Sequence, residues 1–292
     1  MKFKENAPRL MLSLSMAIFG TIALFVRNIS VSSGELALYR AVLASILIGG
    51  FLLVTRQKIH FQKIKKSIPL LLLSGIAMGF NWILLFEAYK YTTVSVATLS
   101  YYFAPVIVTL VCPLLFHEKM TKKQILCFVG STVGLILVIN VGSLRGGSDL
   151  IGILFGLGAA LLYATVILLN KFIKDVDGIP RTFLQFLAAI LILIPYVAFS
   201  GGITLGSMNS IGWVCLLTVG IVHTGVTYCM YFSSLKDLSG QQTAILSYID
   251  PLVAVLVSFF VLGESMTLLQ GLGGVMILGF TLWNELGNAP KK

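Results

Sequence analysis

Charge is scarce in this chain. Only 11% of its 292 residues are Asp, Glu, Lys or Arg, where a soluble domain carries about 25%. It holds 11 acids, 3 histidines and 4 cysteines. Cys112, Cys127, Cys215 and Cys229 all lie in apolar runs at no metal-ligand spacing, so they read as packing residues and no metal or cofactor is expected. The chain has no GxxxxGK[ST] loop, which argues against an ATP-driven pump, and no HExxH pair of the zinc-peptidase kind.

What fills the chain is apolar. Hydrophobic residues make up 57% of it, in recurring runs of 17 to 24 residues. Each is long enough to cross a hydrocarbon core about 30 Å thick. Uninterrupted runs of this length mean helices, because a helix satisfies its own backbone in lipid. The pattern predicts ten spans, at roughly 9–26, 35–54, 68–89, 93–116, 122–140, 150–171, 179–200, 211–233, 240–262 and 267–285. The first follows Lys2, Lys4 and Arg9 and reads as a retained helix, since more membrane and no soluble domain follows it.

The net charge of +10 sits in short loops, a positive-inside pattern and no sign of a nucleic-acid partner. With the N-terminus inside, seventeen of the 21 Lys and Arg fall on the cytoplasmic side, Arg27, Lys90 and Arg145 fall outside, and Arg40 lies within a span. Both termini are then cytoplasmic. The basic loop 55–67 reads as a topology determinant lying against anionic lipid.

The chain also repeats itself. Residues 87–121 return at 233–267 without gaps, setting Lys90 on Lys236, Tyr102 on Tyr248, Pro105 on Pro251, Glu118 on Glu264 and Thr121 on Thr267. Gly79/Gly225, Phe86/Phe232 and Gln124/Gln270 extend the register. Five spans per half is an odd number, so the second half lies upside down. The lysines at 119, 122 and 123 are lost in the second copy, as expected for a loop moved to the outer face. The fold class expected is an all-α integral membrane protein of ten transmembrane helices, arranged as two inverted five-helix repeats at 1–141 and 150–286.

The ten-span layout, the duplicated Pro-(x12)-Glu element (Pro105/Glu118, Pro251/Glu264) and Arg40 early in span two resemble the drug/metabolite transporter superfamily, in its branch built from two EamA-type domains. The resemblance covers essentially the whole chain. It implies secondary transport, commonly export of amino acids, amines or other small metabolites, and it names no substrate.

Asp250 is the most informative residue. It falls near the middle of its span, where an aspartate costs about 2.5–3.5 kcal/mol on insertion scales. Its repeat partner is Ala104, so the fold does not require an acid there. It reads as a ligand for a substrate ammonium or as a proton carrier, against a structural acid beside the helix-loosening Pro251. His223 lies at similar depth and reads as a packed histidine or, if it faces Asp250, as half of a proton relay. Tyr228 is five residues on, about 140° around an α-helix, and is expected on a different stripe.

Arg40 and Glu87 are both missing from the second half, where Gln185 and Ser233 stand. Joint loss suggests an ion pair, and the alternative gives Arg40 a substrate carboxylate. Asn81, Trp82, Tyr101 and Tyr102 supply polar and aromatic surface that suits a cation or an apolar side chain. Tyr102, matched in the repeat, reads as packing, which favours Tyr101 as the ligand. Glu118 and Glu264 read as caps on the helices that follow them. Small-residue pairs such as Gly75/Gly79 and Gly130/Gly134 read as close helix packing.

These residues fit an alternating-access transporter in the cell membrane for a small polar or amphipathic metabolite, with protons as coupling ion and a monomer as the working unit. The alternatives are carriage or import of another solute (nucleoside, sugar or drug) and a non-transporting scaffold. An intramembrane enzyme fits worse, since Asp250 has no second acid at matching depth.

Overall fold

The computed structural model describes residues 2–57, 59, 61–116, 120–139, 147–176, 178–238 and 240–287. Every regular element among them is helical. The chain opens with α1 (Lys2–Gly20) and α2 (Ile22–Val26), parted at Thr21. Next come α3 (Ser33–Val54), the single turn α4 (Phe61–Ile64) and α5 (Ile68–Tyr91). The first half continues with α6 (Val94–Tyr101), α7 (Ala104–Phe116) and α8 (Lys122–Ile139). The second half holds α9 (Gly147–Phe172), α10 (Gly178–Phe199), α11 (Ser210–Leu217), α12 (Thr227–Ser234), α13 (Gly240–Ser247), α14 (Ile249–Phe260) and α15 (Leu268–Gly287). Seven stretches of the described residues are long and apolar enough to cross a membrane, and Ile249–Phe260 and Leu268–Asn284 are shorter apolar helices.

Sequence explains many of the ends. Ser32 and Glu35 close a capping box on α3, and Thr93 caps α6 through the Val96 N–H. Thr121 and Gln124 exchange side-chain and backbone hydrogen bonds at the start of α8, and Thr267 and Gln270 do the same at α15. Both helices are therefore capped by the same repeated pair. Pro180 sits in the first turn of α10, where its missing N–H costs nothing.

Four expected spans are not single regular helices. The fourth breaks between α6 and α7, and the ninth between α13 and α14. Proline is the cause, because its ring clashes with the carbonyl four residues before it. Pro105 points that clash at Tyr101, the last residue of α6, and Pro251 points it at Ser247, the last residue of α13. The first span breaks after Gly20, and the eighth carries a π-helix at Thr218–Val226 between α11 and α12.

The core lies where α3, α5, α9 and α10 pack on one another, around fully buried Phe86, Phe186, Ala189 and Leu193. The π segment lies along α3, and α1 lies against α12, α13 and α14. A second cluster of Val96, Leu99, Leu135, Ile153 and Ile277 holds α6, α8, α9 and α15 together. Cys127, Cys215 and Cys229 are free and buried, as packing residues should be. At one end of the bundle Arg27 pairs with Glu264, and at the other Ser67 donates to Asp175 over 2.7 Å. The expectations for Glu118, Lys119 and Arg145 lie outside the described residues.

Candidate functional site

The two proline breaks face each other. Tyr102, just past the end of α6, donates its hydroxyl to Asp250 Oδ2 over 2.6 Å. Asp250 is in the first turn of α14, where the positive end of the helix dipole favours a carboxylate. One hydrogen bond therefore joins the discontinuities of the two halves. A hydrogen bond to a charged group contributes about 1.5–3 kcal/mol, comparable to what placing the acid there costs.

Within the tyrosine pair, Tyr102 makes a polar contact that a packing role does not require. Tyr102, read as packing, holds Asp250, while Tyr101 stacks against Tyr163 with ring centroids 5.4 Å apart. Tyr163 was not singled out from sequence, and its place opposite Tyr101 depends on how α9 meets α6. Tyr101, Tyr102, Tyr163 and Tyr228 all lie within electrostatic range of Asp250. Tyr101, Tyr102 and Tyr228 are half-buried and Tyr163 is exposed. That combination makes them a wall and not a core.

Gly20 allows α1 to approach Asp250. A Cβ there would lie 2.6 Å from the Asp250 carbonyl oxygen and 2.7 Å from Val253 Cβ. The next residue, Thr21, takes His223 Nε2 at 3.0 Å, and His223 Nδ1 lies 3.3 Å from the Thr218 carbonyl. His223 and Asp250 make no direct hydrogen bond: the His223 ring takes Thr21 and the Asp250 carboxylate takes Tyr102. The Thr21 hydroxyl also lies 2.8 Å from the Ile18 carbonyl, so its one proton goes either to that oxygen or to an unprotonated Nε2.

The π segment corrects the placement of Tyr228. Hydrogen bonds from i to i+5 widen each turn, which brings His223 and Tyr228 toward one side. His223 packs on Phe25 and Tyr228 on Phe19, both on the first span. The side chains confirm the wider turn, since Thr224 and Thr227 each donate to the carbonyl five residues back.

Arg40 and Glu87 do not pair. Glu87 bonds Lys90, one turn on, over 3.0 Å. Arg40 is buried, donates Nε–H to Thr224 Oγ1 over 2.7 Å, and lies over the Trp82 ring at 4.5 Å and the Phe86 ring at 5.7 Å. Aromatic faces accommodate a desolvated guanidinium by about 2 kcal/mol or more, which removes the need for the carboxylate. Trp82 continues to Phe186 at 5.2 Å, and Phe186 to Tyr228 at 5.3 Å. Tyr228 feels both Arg40 and Asp250. A cation and an acid thus stand at the two ends of one aromatic wall.

The Asn81 amide donates to the Ala159 carbonyl over 2.6 Å and ties α5 to α9. Glu264 does not cap the helix that follows it. Its Oε2 accepts from Val94 N–H at the start of α6 over 2.8 Å, and the same carboxylate takes Ser258 and Arg27. Glu35, which sequence left unremarked, is buried and accepts from Thr204 N–H, Thr204 Oγ1 and Tyr39, pinning the loop after α10 to α3.

A family model, the EamA-like transporter family, matches residues 8–140 and 150–284. The chain belongs to the EamA-like transporter family. This transporter is 32% identical over 288 residues to the Bacillus subtilis (strain 168) "Uncharacterized transporter YxxF", covering 94% of the chain and 89% of that protein. It is 31% identical over 278 residues to an Archaeoglobus fulgidus "Uncharacterized transporter", covering 93% and 94%. A protein of known crystal structure aligns with a TM-score of 0.66 over 97% of this chain and 99% of its own, at 15% identity, which bears on the fold alone. The chain is a multi-pass membrane transporter for a small molecule and not an enzyme.

Proposed function

We propose that this chain is a secondary, alternating-access transporter that exports small metabolites such as amino acids or organic amines, with proton coupling through Asp250. The hydrogen bond between Tyr102 and Asp250 carries the reading, because it sets an ionisable group where two broken helices meet. Inverted-repeat transporters place their substrate and ion sites at such discontinuities. A substrate ammonium faces Asp250 and the tyrosines, and a substrate carboxylate faces Arg40, whose remaining guanidinium nitrogens carry no hydrogen bond to the protein among the described residues.

The architecture proposed with it is ten spans in two inverted five-helix repeats, 1–141 and 150–286, with both termini in the cytoplasm. Three observations support it. The register of 146 sets the two proline breaks on each other. The two segments matched by the family model are of nearly equal length. The ends of α2, α5 and α14 and the starts of α6 and α9 also gather at one end of the bundle, as alternating crossings require.

Flux of candidate amino acids and amines in proteoliposomes tests the proposal, with Asp250→Asn as the decisive variant. The expected result is a loss of proton-driven flux and of its pH dependence. Unchanged flux with unchanged pH dependence would remove Asp250 from the mechanism.

A further inference from the structure

Glu264 ties together three helical segments whose other ends form the site. Arg27, its ionic partner, follows α2, which begins just after Gly20 and Thr21. Val94, which donates its N–H to Glu264, begins α6, which ends at Tyr101 beside Tyr102. Ser258, which also donates to Glu264, is on α14, which starts beside Asp250. At their inner ends these segments meet through Gly20 against the Asp250 carbonyl and through the Tyr102–Asp250 bond. At their outer ends they meet at one carboxylate.

The turn that brings Glu264 back over α14 needs Gly263 at φ +65°, and it is held by the Glu264 N–H donating to the Ser258 carbonyl over 3.0 Å. A pocket of about 450 Å³ opens on this knot, lined by Arg27, Glu264, Lys90, Asp149 and, on its inner side, Tyr89. Tyr89 is buried and lies within electrostatic range of both Asp250 and Arg40. The Arg27 side chain is 34% exposed and that of Glu264 10%, so solvent reaches the pair from the pocket side.

We infer that the Arg27–Glu264 pair is the latch of a gate between this pocket and the Asp250 site, on the face that the basic residues mark as outer. Closed, the carboxylate holds α2, α6 and α14 together. Opening breaks its bond to Arg27 and lets the α2 and α14 ends part, while the Val94 N–H keeps Glu264 on one side. The latch rests on the transport reading for its purpose, but its test needs no substrate.

The experiment uses the full chain in oriented membrane vesicles, with the native cysteines replaced by serine or alanine and a reporter at Thr98→Cys. Thr98 is buried on α6, one turn inward from Val94. Labelling by a membrane-impermeant methanethiosulfonate applied from outside reads the opening. Arg27→Gln leaves every other bond of Glu264 in place, and Glu264→Gln keeps an acceptor for Val94 and Ser258. Each is expected to raise the labelling rate about fivefold, the equilibrium shift that loss of a partly exposed ion pair produces. Unchanged labelling in both single variants, with the same melting temperature as the parent, would overturn the latch. Raised labelling in a chain that moves no tested solute would keep the latch and count against the transport reading alone.

Discussion

Gly20→Ala is the smallest change that presses on the candidate site without removing any of its side chains. The added methyl would sit 2.6 Å from the Asp250 carbonyl oxygen, where ordinary contact begins at 3.4 Å. The first span must therefore retreat from α14 by about 0.8 Å, and neither the Asp250 backbone nor the β-branched Val253 is free to yield. Overpacking of this kind costs about 1–3 kcal/mol. At roughly 2–4 °C per kcal/mol for a domain of 150–250 residues, the melting temperature in detergent should fall by about 2–12 °C. The same shift displaces the neighbouring Thr21 from its present 3.0 Å geometry with His223, so transport should fall with stability. Gly50→Ala is the matched control. It lies in α3 with nothing within 4 Å of the new methyl, and should be neutral or stabilise by about 0.5–1 kcal/mol. Thermal unfolding and proteoliposome flux on the three proteins decide the matter. If Gly20→Ala melts and transports like the parent, the first span does not rest on Asp250.

Two further substitutions probe the ends of the aromatic wall. Tyr102→Phe keeps the ring and removes the donor to Asp250, so substrate flux should fall by about tenfold to a hundredfold, the equivalent of a lost charged hydrogen bond. Unaltered flux would return Tyr102 to the packing role. Arg40→Lys keeps the charge and loses both the Nε–H bond to Thr224 and the planar stack on Trp82, so it should depress flux tenfold or more while the protein still folds. A lysine variant that transports normally would show that Arg40 acts as a bare charge.

Much of the scaffold was legible because its signals are local. Apolar run length gave the helices, lysine and arginine gave the loops, and one register related the halves. Even the breaks in the fourth and ninth spans had a readable cause, since Pro105 and Pro251 each act on the carbonyl four residues back. Pro251 reads as loosening its helix, but a span-length apolar run looks the same whether or not its middle is fully broken. The π-helix at Thr218–Val226 left no such mark, and it moved Tyr228 to the side of His223. Arg40 of α3 holds Thr224 within it, a contact from a distant element.

The partnerships were illegible for a different reason. Arg40 and Glu87 vanish together from the second half, and loss in common was read as contact. The two charges are in fact stabilised separately, one by indole and phenyl faces and the other by Lys90 one turn along. An absent pair in one repeat therefore says that both charges are particular to the other, and nothing about distance. The same caution sharpens what the repeat does show. Tyr102 and Tyr248 are matched residues, as are Pro105 and Pro251, so each half supplies a break flanked by a tyrosine. Only the second half adds an acid, and it is the tyrosine of the first half that holds it. Asymmetry laid across a symmetric pair of breaks makes a site at which the two halves must meet. If the halves move against one another as proposed, the contact between Tyr102 and Asp250 is the one they make and remake.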